Sequence, residues 1–239
     1  MPMKFFYLLL LSGLGLVQVS RAQQTYFNVP SSDVVGKREI AVQQQINISE
    51  SIRSQTTLEY GLGNEWEIGL NFYNLDYQPS DRRLMTNDST IEKSYSPLLL
   101  FNTQRTFDLT KNIELGIGAQ AGFNVLTSRQ PQFVGYAYGH VAYTSDDEHY
   151  NVSAGGYLAN ARYLGDGPKG GFQAGFDAGI FYQKLHLLGD WISGPHDQGQ
   201  LVLGFEVYLS KKLPLAFGWQ RTNKTGDQAL VLQLTYNPK

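Results

Sequence analysis

Asn112-Ile113-Glu114-Leu115-Gly116-Ile117-Gly118-Ala119-Gln120-Ala121-Gly122-Phe123-Asn124-Val125 alternates without a break. Every odd position from Ile113 to Val125 is apolar, and every even position from Asn112 to Asn124 is polar or glycine. Successive strand side chains point to opposite faces, so the stretch is one long strand with an oily face and a small, polar face. A strand that crosses a bilayer at a tilt needs about 9–11 residues. The alternation recurs along the chain, and no run of about 20 apolar residues competes with it. The pattern predicts an all-β fold, a 12-stranded antiparallel transmembrane β-barrel with lipid outside and a polar lumen.

The spans expected for the strands are 38–47, 53–61, 65–75, 94–106, 112–126, 132–144, 149–161, 171–182, 184–192, 199–209, 213–221 and 228–237. Connections after even-numbered strands are short and rich in turn residues, as in Leu62-Gly63-Asn64, Ser145-Asp146-Asp147-Glu148, Gln183 and Ser210-Lys211-Lys212. Those after odd-numbered strands are mostly longer, with 76–93 the longest and 162–170 and 193–198 next. Short turns at one end and longer loops at the other are the outer-membrane arrangement.

Lipid-facing stripes are legible strand by strand: Trp66, Ile68, Leu70 and Phe72; Phe172, Ala174, Phe176, Ala178, Ile180 and Tyr182; Leu201, Leu203, Phe205, Val207 and Leu209; Leu213, Leu215, Phe217 and Trp219; Leu230, Leu232, Leu234 and Tyr236. Tyr60, Trp66, Tyr150, Tyr182, Trp191, Trp219 and Tyr236 near strand ends suit interfacial girdles. The facing of 94–106 stays open. In 132–144 either Tyr136, Tyr138 and His140 or Gly135, Ala137, Gly139 and Val141 face lipid, and the polar set is the one preferred inside.

Composition agrees. Charged residues make up 17% of 239 positions, 25 residues are glycine and the net charge is −2, which gives no reason to expect a nucleic-acid partner. With no cysteine there is no disulfide, no thiolate metal site and no acylated anchor. Residues 1–22 read as a secretory signal: Lys4, an apolar run from Phe5 to Val17, and small residues flanking Arg21 at the cleavage site. Residues 23–37 form a leader, broken by Pro30-Ser31-Ser32-Asp33, that either hangs free or folds back as a small plug; 38–239 is the barrel.

The hairpin Leu58-Glu59-Tyr60-Gly61-Leu62-Gly63-Asn64-Glu65-Trp66-Glu67-Ile68-Gly69-Leu70 resembles a repeated unit of the outer-membrane transporter family associated with meta-pathway phenol degradation. The stretches from Lys111 to Gly118 and from Ser210 to Gln220 are similar turn-then-strand units. The resemblance implies small-molecule passage. The ending departs from many barrels, because Tyr236 is followed by Asn237-Pro238-Lys239 rather than closing the chain.

The expected lumen-lining residues, as pore candidates, are Glu67, Asn71, Glu114, Gln120, Asp177, His186, Asp190, Glu206 and Gln220, with glycines between them leaving room for water. Acids dominate, and rings of Asp and Glu favour cations; the bland alternative pairs them with Arg53, Arg105, Arg162 or Lys184 in a closed barrel. Nucleophilic catalysis needs a Ser, a His and a third orienting group, and neither His196-Asp197 nor His140 with Ser153 amounts to that by spacing. Gly165-Asp166-Gly167-Pro168-Lys169-Gly170 matches a dinucleotide motif only in letters, since it joins two strands.

The expectation is therefore a Gram-negative outer-membrane channel for passive passage of small solutes, hydrophobic or aromatic ones included. It is not an enzyme and has no cofactor. Its partners are outer-membrane lipid, the solute and the barrel-assembly machinery. The alternative is a non-conducting barrel acting through its external loops.

Overall fold

The computed structural model describes residues 25–127, 129–181 and 184–238. The signal expected over residues 1–22 lies outside them, as do Gln23, Gln24, Ser128, Tyr182, Gln183 and Lys239. The alternating stretches form β1 (Ile40–Ile48), β2 (Ile52–Gly63), β3 (Trp66–Gln78), β4 (Arg83–Met85), β5 (Leu98–Asp108), β6 (Ile113–Asn124), β7 (Phe133–Thr144), β8 (Tyr150–Ala159), β9 (Gly170–Phe181), β10 (Leu185–Ile192), β11 (Gln200–Ser210), β12 (Leu213–Thr222) and β13 (Gln228–Tyr236), with one helical turn among the described residues, α1 (Ala161–Leu164). All pairings between strands are antiparallel, each long strand beside its sequence neighbours. The sheet closes where β1 meets β13, from Val42 opposite Tyr236 to Ile48 opposite Leu230. Twelve strands thus make a closed barrel and leave no free edge among them. The short β4 stands outside the ring as a hairpin on the end of β3.

Local chemistry explains the boundaries. The turn between β2 and β3 is tighter than Leu62-Gly63-Asn64 implied: Asn64 and Glu65 both take left-handed φ (53° and 59°), the geometry of a two-residue hairpin whose twist matches its strands. Residues 76–93 are not all loop, because Asp76, Tyr77 and Gln78 pair with Met85, Leu84 and Arg83. In the loop after β8, Asn160 caps α1 by accepting from the Tyr163 N–H at 3.1 Å, and Tyr163 and Leu164 turn inward.

Facing follows the pleat. Leu203, Phe205, Phe172, Leu230, Leu234 and their equivalents stand exposed around the outside, while Gln43, Gln45, Glu67, Asn71, Gln173, Glu206 and Gln233 are buried within. A soluble monomer exposes apolar patches of at most several hundred Å²; an encircling apolar belt with a polar interior belongs in lipid. Tyr60, Trp66, Tyr150 and Tyr236 lie outward at the short-turn end, and Trp191 and Trp219 at the loop end. Arg105 faces out and lies over Trp66 and Phe107, at 5.2 and 4.4 Å from the ring centres, so it neutralises no lumen acid.

The open facings resolve. β5 turns Leu98, Leu100, Asn102, Gln104 and Thr106 inward, and the two leucines pack beneath Tyr163 and Leu164. β7 turns Tyr136, Tyr138 and His140 inward.

Candidate functional site

The barrel interior holds protein as well as space. Residues 25–37 run through it and touch opposite walls. The N–H groups of Phe27 and Val29 donate to Asp190 Oδ2 on β10 at 3.0 and 2.8 Å, and the Asn28 N–H donates to the same oxygen. Three consecutive amides converging on one carboxylate form a nest, and such charge-assisted bonds are stronger than neutral ones. Gln104 on β5 donates to the Ser31 carbonyl at 3.0 Å, and Ser32 Oγ lies 3.2 Å from His140 Nε2 on β7. The Val35 N–H donates to Glu67 Oε2 on β3 at 2.9 Å. Gln233 on β13 donates to the Tyr26 carbonyl at 3.1 Å. Tyr26, Phe27 and Val29 are almost wholly buried, Phe27 among Leu188, Val202, Ala216 and Val231.

The lumen glycines do more than leave room for water. Register puts Gly118 directly opposite Tyr138, Gly116 opposite His140, and Gly171 opposite Tyr157. A Cβ on Gly118 would meet the Tyr138 ring, one on Gly116 the His140 ring, and one on Gly175 the ring of Tyr26. Each glycine is a slot in which a neighbouring ring lies flat along the wall.

Rings laid this way build a tyrosine surface on one side. Tyr136 packs against Tyr163, Tyr138 and Tyr157 with centroids at 5.0, 5.5 and 6.0 Å, and Tyr163 also stacks on Tyr73 at 5.7 Å. The hydroxyls are engaged: Tyr136 donates to Gln173 and Tyr138 to Gln104, each at 2.6 Å. The other side is amide and carboxylate. Asn102 donates to Asn71 at 2.8 Å, and Asn71 donates to Gln120 at 3.0 Å. Between these walls lies a cavity of about 70 Å³ lined by both, by Glu59 and Glu67, and by Phe27, Asn28 and Pro30 of the inner segment. That is space for on the order of five waters.

The nine expected lumen residues separate into groups. Asn71 and Gln120 join one amide ladder. Gln220 accepts from Asn47 at 2.5 Å, and Asn47 accepts from Gln45 at 2.9 Å. Asp177, His186 and Glu206 converge near the short-turn end: His186 Nδ1 lies 2.7 Å from Asp177 Oδ1, and His186 is directly opposite Glu206. Glu67 and Asp190 hold the inner segment. Glu114 lies half-buried near the start of β6. The tyrosine surface and the carboxylate anchoring were missed as a site, because both depend on which residues oppose one another across strands.

At the loop end the mouth is tied shut. Asp197 Oδ2 accepts from the Ser94 N–H at 2.7 Å, Asp197 Oδ1 takes Lys224 Nζ at 3.2 Å, and Lys224 also donates to the Glu92 carbonyl at 3.0 Å. His196 is fully buried beneath, with Nε2 at 2.6 Å from Tyr157 Oη. Tyr157 gives its proton to the Ser193 carbonyl, so His196 Nε2 carries the hydrogen between them. Burial holds the imidazole neutral and its pKa below the usual range. At the opposite end the Asp147 carboxylate is held well below the ordinary range by the Ser145 hydroxyl and by His149.

No family profile matches the chain, and no curated protein does. Solved structures do. The NanC porin overlays at a TM-score of 0.55 with 8% identity, over 84% of this chain and 100% of that one. An outer-membrane channel from Pseudomonas putida F1 overlays at 0.51 with 11% identity, over 92% and 99%. A calcium-bound outer-membrane phospholipase dimer from Salmonella typhi overlays at 0.50 with 10% identity, over 85% and 92%. At such identities the likeness is one of fold, the porin-like outer-membrane barrel.

Proposed function

We propose that this barrel is a channel of the Gram-negative outer membrane for passive passage of small solutes, and that residues 25–37 are its displaceable plug. One observation carries the reading. The segment that fills the lumen is attached to the wall by side-chain hydrogen bonds and a few buried rings, and only at Lys37 opposite Gly61 does it touch the sheet as a strand would. An element joined in this way leaves the barrel intact when it withdraws. The wall it would uncover is rich in carboxylates, so cations and neutral solutes are favoured over anions. The tyrosine surface extends the reading to hydrophobic and aromatic solutes, in line with the family resemblance of the β2–β3 hairpin.

A hydrolase is the weaker reading. Ser32 and His140 are a buried pair, but His140 Nδ1 has no hydrogen-bond partner to orient it as a base. A non-conducting barrel acting through its loops is favoured by the tied mouth. Deleting 76–93 and 162–170 separates it from the channel: lost surface binding with unchanged permeability belongs to the loops.

The test is single-channel conductance of refolded residues 23–239 and 38–239 in planar bilayers. Stepwise, cation-leaning current that rises on removing 23–37 is expected. A folded barrel that carries no current in either form overturns the reading, and anion preference in a salt gradient overturns its electrostatic part.

A further inference from the structure

Two carboxylates line the central cavity, and none of the residues lining it is Lys, Arg or His. Glu59 on β2 and Glu67 on β3 are diagonal neighbours, since Glu59 sits opposite Gly69 and Glu67 opposite Gly61. Both are more than nine-tenths buried. Glu67 is occupied by the Val35 N–H, but Glu59 Oε2 has no hydrogen-bond partner. One strand away, Gln43 gives its amide N–H to Thr25 at 2.8 Å and leaves its carbonyl Oε1 without a partner as well. Gln43 stands opposite Thr57, which puts it diagonally beside Glu59. Two unmatched acceptors therefore lie together on one wall, buried, where leaving them unmade is costly.

The aromatic side of the same cavity is brought to this point by register. Gln104 is directly opposite Glu67, Gly118 opposite Gln104, and Tyr138 opposite Gly118. Tyr138 lies across the glycine and places its hydroxyl on Gln104, which commits that hydroxyl and leaves the ring as lining.

Unpartnered acceptors, two carboxyl groups with no basic residue in the lining, and an aromatic surface together define a cation with N–H donors. We propose that this cavity is a binding site for a small primary ammonium ion. Its positive charge is set against Glu59, its donors against Glu59 Oε2 and Gln43 Oε1, and its apolar end against Tyr138. An ammonium has three donors and no acceptor, the complement of such a wall, and aromatic faces attract it further. A cavity sized for about five waters admits methylammonium and excludes bulky amines. An anion finds no basic residue in the lining. Among the described residues no group of three His, Asp or Glu is placed to hold a metal ion. The inference deepens the channel reading, in that the site lies on the wall of the proposed path.

The experiment is isothermal titration of the full refolded barrel in detergent with methylammonium chloride. Tetramethylammonium, potassium and sodium acetate serve as comparisons, and folding of every sample is checked by heat-modifiable gel migration. Saturable binding of methylammonium is expected, with no equal binding of tetramethylammonium, which carries charge without donors. Glu59→Gln should weaken it at least tenfold, Tyr138→Leu several-fold, and Tyr138→Phe little. Glu59→Asp, which draws the carboxylate back, substitutes if Glu59→Gln does not fold, and should weaken binding too. Methylammonium heats no greater than those of potassium, or affinity unchanged in both the Glu59 and Tyr138→Leu variants, overturn the proposal. Conductance of the same preparation in sodium chloride keeps the two readings apart: current without methylammonium binding overturns the site alone, and binding without current overturns the channel alone.

Discussion

Asp190 is the strongest single attachment of the inner segment, and its removal should free the lumen. Its Oδ2 accepts the N–H groups of Phe27, Asn28 and Val29. Each bond to a charged acceptor contributes about 1.5–3 kcal/mol. Keeping a carboxylate out of water subtracts several kcal/mol from their sum. A net loss of about 3 kcal/mol from the seated state on Asp190→Ala is therefore expected, roughly a 150-fold shift toward the withdrawn state. Asp190→Asn keeps a neutral acceptor at the same place and should shift it only about tenfold, since neutral bonds have about half the strength. The chain has no cysteine, so Ser31→Cys offers a single label at a position now buried against Gln104. Maleimide labelling of that thiol tracks the withdrawn population when opening is fast relative to reaction. Its rate should rise by about two orders of magnitude in Asp190→Ala and by about one in Asp190→Asn. Equal rates in all three backgrounds, with folded barrels, would refute the argument that this carboxylate holds the segment.

Three further outcomes follow from the geometry. Gly118→Leu forces a side chain into the slot of the Tyr138 ring and should cost about 1–3 kcal/mol or more of stability, read by urea unfolding in lipid vesicles; an unaltered midpoint denies the slot. Phe205→Arg, on the exposed outer face at the middle of β11, should cost about 2–4 kcal/mol in a bilayer, and less in detergent, where the side chain finds water. His196 titrates with a lowered pKa in the closed mouth, so it favours that state above its ordinary pKa of 6.5 and increasingly opposes it as pH falls below that value. Asp197, Lys169 and Lys224 are the charges around it. Proteolysis of residues 193–198 should quicken between pH 6.5 and 5 and lose this dependence in His196→Gln, whereas a rate independent of pH counts against the buried neutral imidazole.

The period-two pattern at Asn112–Val125 and its repeats determined the strand number, the closed antiparallel ring and the outward stripes, because facing in a pleated strand is a local property. The same pattern placed Glu67, Asn71 and Asp190 inside. It did not determine what they meet there. Whether residues 25–37 hang free or lie inside depends on Asp190, Glu67, His140 and Gln104, which come from four strands scattered along the chain. Gly118 reads as empty space in the sequence and is filled by Tyr138 in the fold, because the occupant of a glycine's place comes from the adjoining strand. Periodicity is set by each residue's own backbone. Register, the meeting of opposite walls and the cavity between them arise only when the sheet closes, so the tertiary structure alone decided them.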